Sequence, residues 1–213
     1  MTSHDNLPVA VIGAGPVGLA AAAHLFERGL PVKVYEAGPT VGASVRDWGH
    51  VRLFSPWQYN TDPLARALLQ RHGWQEPPGD IFPTGSDLYE AYLKPLAETP
   101  AMFAVVETGA KVTAISRHGV DKVVSKDRDT KPFVLSVSNG NGSLRRDFAR
   151  AVVDASGTWT TPNPLGAGGI PASGEAEHAD KIAYGLPDVL GRDRAAYAGR
   201  TTLVAPATRP RTC

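Results

Sequence analysis

Cysteine is all but absent from this chain: Cys213 is the only one among 213 residues. That excludes an internal disulfide framework, a Cys-x-x-Cys redox pair and a thiolate zinc set, and it fits a reducing, cytoplasmic setting. An excess of one charge is lacking too, since 22 Lys+Arg stand against 21 Asp+Glu. No basic stripe points to nucleic acid and no acidic run to a basic partner. The histidines, His4, His24, His50, His72, His118 and His178, are scattered singly and offer no metal-ligand spacing. Residues 1–8, MTSHDNLP, have no basic region followed by an apolar segment of signal type. The longest apolar stretch, Val9 to Phe26, is interrupted by Gly13-Ala14-Gly15-Pro16 and contains His24, so it is not a membrane span. The expectation is a cytoplasmic protein without nucleic-acid, membrane or metal partners, of one or two domains.

What the chain does have is a dense opening pattern, PVAVIGAGPVGLAAAAHLFERGLPVKVYEAG, over residues 8–38. Pro8 to Ile12 is a short β-branched run of the kind found in a parallel strand covered on both faces, and it is expected at the centre of its sheet. Gly13, Gly15 and Gly18 follow in G-x-G-x-x-G spacing. The first allows a tight turn, the second lets backbone approach a pyrophosphate, and the third lets helix and strand pack closely. Pro16 occupies the first helical turn, where its missing N–H costs little, and the Ala-rich stretch to Arg28 stops at Gly29. Phosphates would sit over the helix N-terminus, on free N–H groups and the positive end of the dipole. Val32 to Tyr35 is a second strand, and Glu36 closes it about 20 residues after Gly13, where a carboxylate takes both ribose hydroxyls. A dinucleotide with an unphosphorylated adenosine ribose, FAD or NAD, is expected here.

Residues 37–60 show little helical or strand period, and long loops of this kind in compact domains usually serve function. Arg46, Trp48, Trp57 and Tyr59 are suited to covering a planar ring or holding a phosphate, and the aromatics are equally suited to packing beneath the loop. Thr61-Asp62-Pro63 starts a helix that runs to Gly73. A second helix, DLYEAYLKPLAE, is capped by Ser86 or Asp87, and Pro95 should kink or end it. From about Met102 the period changes: AVVE, AKVTAISR, KPFVLSVS and a last run reaching ARAVVDAS are strand-like, and they read as an antiparallel β-meander over about 102–150 feeding a further central parallel strand, Ala151 to Ala155. Asp154-Ala155-Ser156-Gly157 then places small residues at a strand's carboxyl end. Gly166 to Gly169 reads as a flexible turn. No Ser/His/Asp constellation competes for a catalytic role.

With VIGAGPVGLAAAAHL and Glu36, the loop from Val41 to Asn60, the meander and DASGTWTTPNPLGAGGIP in place, the chain resembles the two-dinucleotide-binding flavoproteins, and within them the flavin-containing monooxygenases and their Baeyer–Villiger relatives. The resemblance covers most of residues 8–204. It implies an α/β, Rossmann-like FAD domain over residues 1–165 with the meander inside it, a linker over 166–199, and the start of an NAD(P)H-binding domain over 200–213. FAD would be the bound cofactor and NAD(P)H the hydride donor, with a small organic substrate and dioxygen as the reacting partners. Carried over by position, Gly13, Gly15, Pro16 and Gly18 would meet the FAD pyrophosphate, Glu36 the ribose, and Val112 the adenine through its backbone. Arg46 and Trp48 would contribute from the long loop, Ser156 and Gly157 would approach the cofactor, and Asn60 would stand beside the flavin's oxygen-reacting carbon as the catalytic candidate. Two departures from the family pattern stand out. Ser156 replaces the usual threonine, and the monooxygenase fingerprint survives only as Gly174, His178 and Tyr184 at altered spacing.

Arg200 to Val204 reads as a strand that should open a second Gly-x-Gly cradle, yet it runs into APATRPRTC. Read one base earlier with a permitted codon set, that tail becomes GAGHSAPHL, a G-x-G-x-x-A cradle. The expectation is an out-of-frame tail and a missing NAD(P) domain, with weak FAD retention and little turnover; a natural tail is the alternative. A non-catalytic dinucleotide-binding remnant is the rival to an enzyme.

Overall fold

The computed structural model describes residues 6–204 and contains seven strands: β1 (Val9–Ile12), β2 (Val32–Tyr35), β3 (Val106–Glu107), β4 (Ala110–Arg117), β5 (Phe133–Asn139), β6 (Leu144–Ala149) and β7 (Ala151–Asp154). The first, second, third and seventh make a parallel sheet in the order β3-β2-β1-β7, and the remaining three make an antiparallel sheet, β4-β5-β6. In the parallel sheet Val9 lies opposite both Val32 and Ala151, so β1 is flanked on both sides, as its continuous apolar run requires.

Strand alternation divides the core. On β1, Val11 faces a layer of helices while Ala10 faces the meander. The helical layer comprises α1 (Pro16–Glu27), α2 (Ala43–Asp47), α3 (Pro63–Gln70), α4 (Gly85–Leu88), α5 (Lys94–Glu98) and α6 (Pro100–Phe103). Leu19, Leu69, Leu93, Leu96 and Met102 are fully enclosed there with Val11 and Val34. On the opposite face Tyr35 and Ala10 pack with Ala110, Leu135, Val137 and Ala149 of the antiparallel sheet. A parallel sheet covered by helices on one face and by a meander on the other is an α/β, Rossmann-like arrangement.

Several local expectations are corrected by tertiary packing. The AVVE segment is not part of the meander, because Val106 and Glu107 pair in parallel with Val34 and Tyr35 and extend the other sheet. Residues 100–103, at the expected start of the meander, are helical. The strand after the meander is Ala151–Asp154, and among the described residues it forms an edge of the parallel sheet instead of a central member. The long loop contains α2 and a 3-10 turn, Trp57–Tyr59. The second helix is capped by Thr84, not Ser86 or Asp87: Asp87 N–H donates to Thr84 Oγ1, and Thr84 N–H donates back to the Asp87 carboxylate. Between α4 and α5 the backbone stays helical through a π-turn, Tyr89–Leu93, just before Pro95.

The described residues divide into two units on either side of the Gly157–Thr158 bond. In the second unit α7 (Arg194–Tyr197) is the one α-helical segment among the described residues. Thr201 to Val204 adopt no strand there. The tail over residues 205–213, with its proposed frame change, lies outside the described residues. Among the described residues no helix is long and apolar enough to cross a membrane.

Candidate functional site

The cradle forms where β1 hands over to α1. Gly13 has a φ of 96°, and a Cβ there would lie 2.5 Å from the carbonyl oxygen of Ala155 at the end of β7. Its N–H donates to Tyr35 O (2.7 Å), closing β1 against β2. At Gly18 a side chain would drive into the carbonyl of Gly13, so this residue sets how closely helix and strand meet. Both glycines are explained by packing alone.

Gly15 is different. Its φ of −79° and ψ of −173° are open to any residue, and a Cβ there would have no atom of the described residues within 4 Å. Nothing in the fold requires glycine at this position. It lies at the N-cap of α1, followed by Pro16, and the first-turn amides of a helix have no intrahelical acceptor. The missing side chain leaves a bare backbone surface at the positive end of a 12-residue helix.

Glu36 faces the same turn and is buried, with 9% of its surface exposed. Its Oε2 accepts from Ala14 N–H and its Oε1 from Gly38 N–H, each at 2.8 Å. Its own N–H donates to Glu107 O (2.8 Å), and its carbonyl accepts from Ala110 N–H (2.8 Å). The carboxylate is thus fixed by two neutral amides, without a cationic partner among the described residues, and each oxygen keeps a lone pair for a further donor. Gly38 and Ala14 were not legible as site residues. A side chain at Gly38 would collide with Ala43 Cβ and approach Glu36 Oε1, which explains the glycine.

The other candidates are distributed around the first unit. Arg46, exposed near the end of α2, stacks its guanidinium over the Tyr89 ring at 5.0 Å and donates to Thr40 Oγ1 (3.2 Å). The Trp48 ring packs on Gly85, where a Cβ would meet the ring at 2.6 Å, and Trp57 is buried in the helical core. Those two aromatics do the packing work; Tyr59 stays exposed. Asn60 is occupied within its own loop: Nδ2 donates to the Ser55 and Pro56 carbonyls (2.7 and 2.9 Å), and Oδ1 accepts from Ser55 Oγ (2.8 Å). Val112 lies on β4 at a bulge that shifts the register before Ala114. Ser156 donates from N and Oγ to Asp154 Oδ1 (3.1 and 2.7 Å), which holds the Asp154 carboxyl below its usual range. Gly157 follows with a φ of 68°.

In the second unit the echo of the monooxygenase fingerprint takes a different form. Glu175 is buried and accepts from Leu165 N–H (3.0 Å), from Ala172 N–H (2.6 Å) and from the Tyr184 hydroxyl. Tyr184 thus secures a loop carboxylate, and the first part of the expected linker over 166–199 is pinned at one point.

The glycine turn and Glu36 have the chemistry to hold an FAD pyrophosphate and ribose. A glycine with no steric purpose lies over a helix N-terminus, and a buried carboxylate stands beside it. Over 188 residues the chain is 28% identical to the thiamine thiazole synthase of Pyrobaculum islandicum, covering 85% of this chain and 67% of that one. It is 39% identical over 72 residues to the thiamine thiazole synthase of Pyrobaculum aerophilum, which covers 34% of this chain and 28% of that one. The fold is shared with the bacillithiol disulfide reductase Bdr (YpdA) from Bacillus cereus, with a TM-score of 0.57 at 21% identity over 74% of this chain. This chain spans 41% of that reductase. Residues 8–79, from β1 through α3, match the model of the FAD dependent oxidoreductase family.

Proposed function

We propose that this chain binds FAD on Gly13, Gly15, Gly18 and Glu36 and takes part in an NAD(P)H-dependent, monooxygenase-like oxidation of a small organic substrate by dioxygen. FAD supplies the hydride-accepting and oxygen-reacting chemistry when bound; the chain binds, orients and shields it. Helix α1 offers its first-turn amides to the pyrophosphate, and Glu36 accepts the ribose hydroxyls on its remaining lone pairs. Arg46 adds a cation, and Ser156 and Gly157 bring backbone toward the cofactor from the end of β7. The observation that carries this reading is Gly15, whose lack of a side chain the fold itself does not need.

The test is to purify the full chain, add FAD, and record protein-bound flavin absorbance together with NADPH consumption under air. Bound flavin with consumption supports the oxidoreductase. Bound flavin without consumption leaves a dinucleotide-binding protein that does not turn over NADPH. A folded chain that binds no FAD overturns the reading.

A second reading rests on the similarity to thiamine thiazole synthases, which extends over 85% of this chain. There the same cradle would serve a biosynthetic enzyme. Thiazole formation without steady NADPH consumption would favour it.

A further inference from the structure

Beneath the cradle lies a polar cluster that no part of the cofactor-binding scheme uses. The Tyr35 hydroxyl donates to Asp147 Oδ2 (2.9 Å), across 112 residues of sequence. Asp147 also accepts from Arg145 Nε (3.1 Å) and lies 3.5 Å from Lys33 Nζ. Glu107 accepts from Lys33 (2.9 Å) and from Arg145 Nη2 (2.8 Å). Two cations and two carboxylates cancel, and together they connect β2 and β3 of the parallel sheet to β6 of the meander.

Tyr35 is the buried member, with 2% of its surface exposed. Burial, reinforced by the Asp147 carboxylate, pushes its phenol well above its ordinary range, so it remains a hydrogen-bond donor. Its backbone carbonyl accepts from Gly13 N–H (2.7 Å). The residue is therefore fixed at both ends: by the glycine turn through its backbone and by the meander through its hydroxyl. Glu36 is the next residue, and its carbonyl is bound by Ala110 N–H at the start of β4.

We propose that the Tyr35–Asp147 hydrogen bond is a positioning device for the ribose-recognising carboxylate, through which the meander holds Glu36 at the glycine turn. The proposal rests on the FAD-binding reading above. Tyr35 and Asp147 touch no cofactor in this scheme; they act through Glu36. The hydroxyl is not needed to fill the core, because phenylalanine keeps the ring.

The probes are ADP and 2′-deoxy-ADP, which differ by one of the hydroxyls that Glu36 would accept, with binding to the full-length chain measured by calorimetry. In the wild type ADP binds more tightly. In Tyr35→Phe, ADP binding weakens by about fivefold, while 2′-deoxy-ADP, which keeps one of the two hydroxyls, loses less. Asp147→Ala gives the same selective loss, and Asp147→Asn, which keeps an acceptor oxygen, restores most of it. A loss equal for both probes, or no loss in either folded variant, overturns the positioning role. A wild type that does not prefer ADP overturns the ribose assignment of Glu36 and this proposal with it, whereas a preference that survives Tyr35→Phe overturns the proposal alone.

Discussion

The indole Nε1 of Trp74 donates to the carbonyl oxygen of Ala91 at 2.7 Å, and Ala91 stands four residues before Pro95. In an unbroken α-helix the amide of residue 95 would take that carbonyl, but proline has no N–H and its ring crowds the oxygen. The π-turn Tyr89–Leu93 moves the carbonyl aside, and a tryptophan from the segment after α3 satisfies it. A proline expected to end a helix is thereby carried through one.

Trp74→Phe keeps the ring surface and removes the donor. It should lower stability by about 1–3 kcal/mol, the cost of stranding a half-buried carbonyl. Pro95→Ala restores an amide at position 95, so Trp74→Phe should cost less in that background. Urea unfolding of the four proteins in a double-mutant cycle checks this, and strict additivity would contradict it.

Gly15 and Gly18 carry opposite expectations. Gly18→Ala drives a methyl into the Gly13 carbonyl and should destabilise the chain by about 2 kcal/mol or more. Gly15→Ala meets no protein atom, and thermal melting should stay within about a degree or two of the wild type. FAD binding to Gly15→Ala should nevertheless weaken by about tenfold or more, because the methyl takes the space of the pyrophosphate. Unchanged FAD affinity in this variant would remove the main support for the cradle.

Acid should weaken the α3 start in a definable window. Burial raises the Asp62 carboxyl, but the Ala65 amide, the His24 side chain and the Leu64 amide outweigh it and hold the group below its ordinary value of 3.8. A carboxyl depressed on folding stabilises above its unfolded value and loses that contribution as pH falls through the folded one. Asp62→Ala should therefore cost about 0.5–2 kcal/mol at pH 7, and the gap to the wild type should close as pH drops below about 3.8. Denaturant melts at several pH values measure this; a gap independent of pH would be the contrary result.

In the second unit Glu175→Gln should loosen residues 165–184. The Tyr184 hydroxyl and the Ala172 and Leu165 amides all donate to this carboxylate and lower its proton affinity. Amide exchange should quicken at Leu165 and Ala172 while β1, β2 and α1 keep their protection, as read by hydrogen–deuterium exchange with mass spectrometry. Uniform loss of protection across the whole chain would show that the clip is not local.

The cradle was legible because its parts are local. A β-branched strand, a glycine turn, a proline at the first helical position and an acid at the next strand's end lie within residues 8–38, and each follows from backbone sterics or helix-end chemistry. Cap Asp62 and the meander strands β4 and β5 were readable for the same reason. What the tertiary structure alone decided depends on groups far apart in the chain. Val106 and Glu107 joined the parallel sheet because β2 offered a free edge, although their neighbours read as meander. Trp48 and Trp57 proved to be core, since any aromatic in a long loop can equally cover a ligand or fill a cavity. The partners of Ala91 and Tyr35 lie 17 and 112 residues away, a separation that periodicity does not span. The chain itself determined the glycine turn, the start of α1 and the acid at the end of β2. Only the packed sheets determined how Glu36 is held, because the Ala14 and Gly38 amides meet its carboxylate and the Ala110 amide its carbonyl only once the chain has folded.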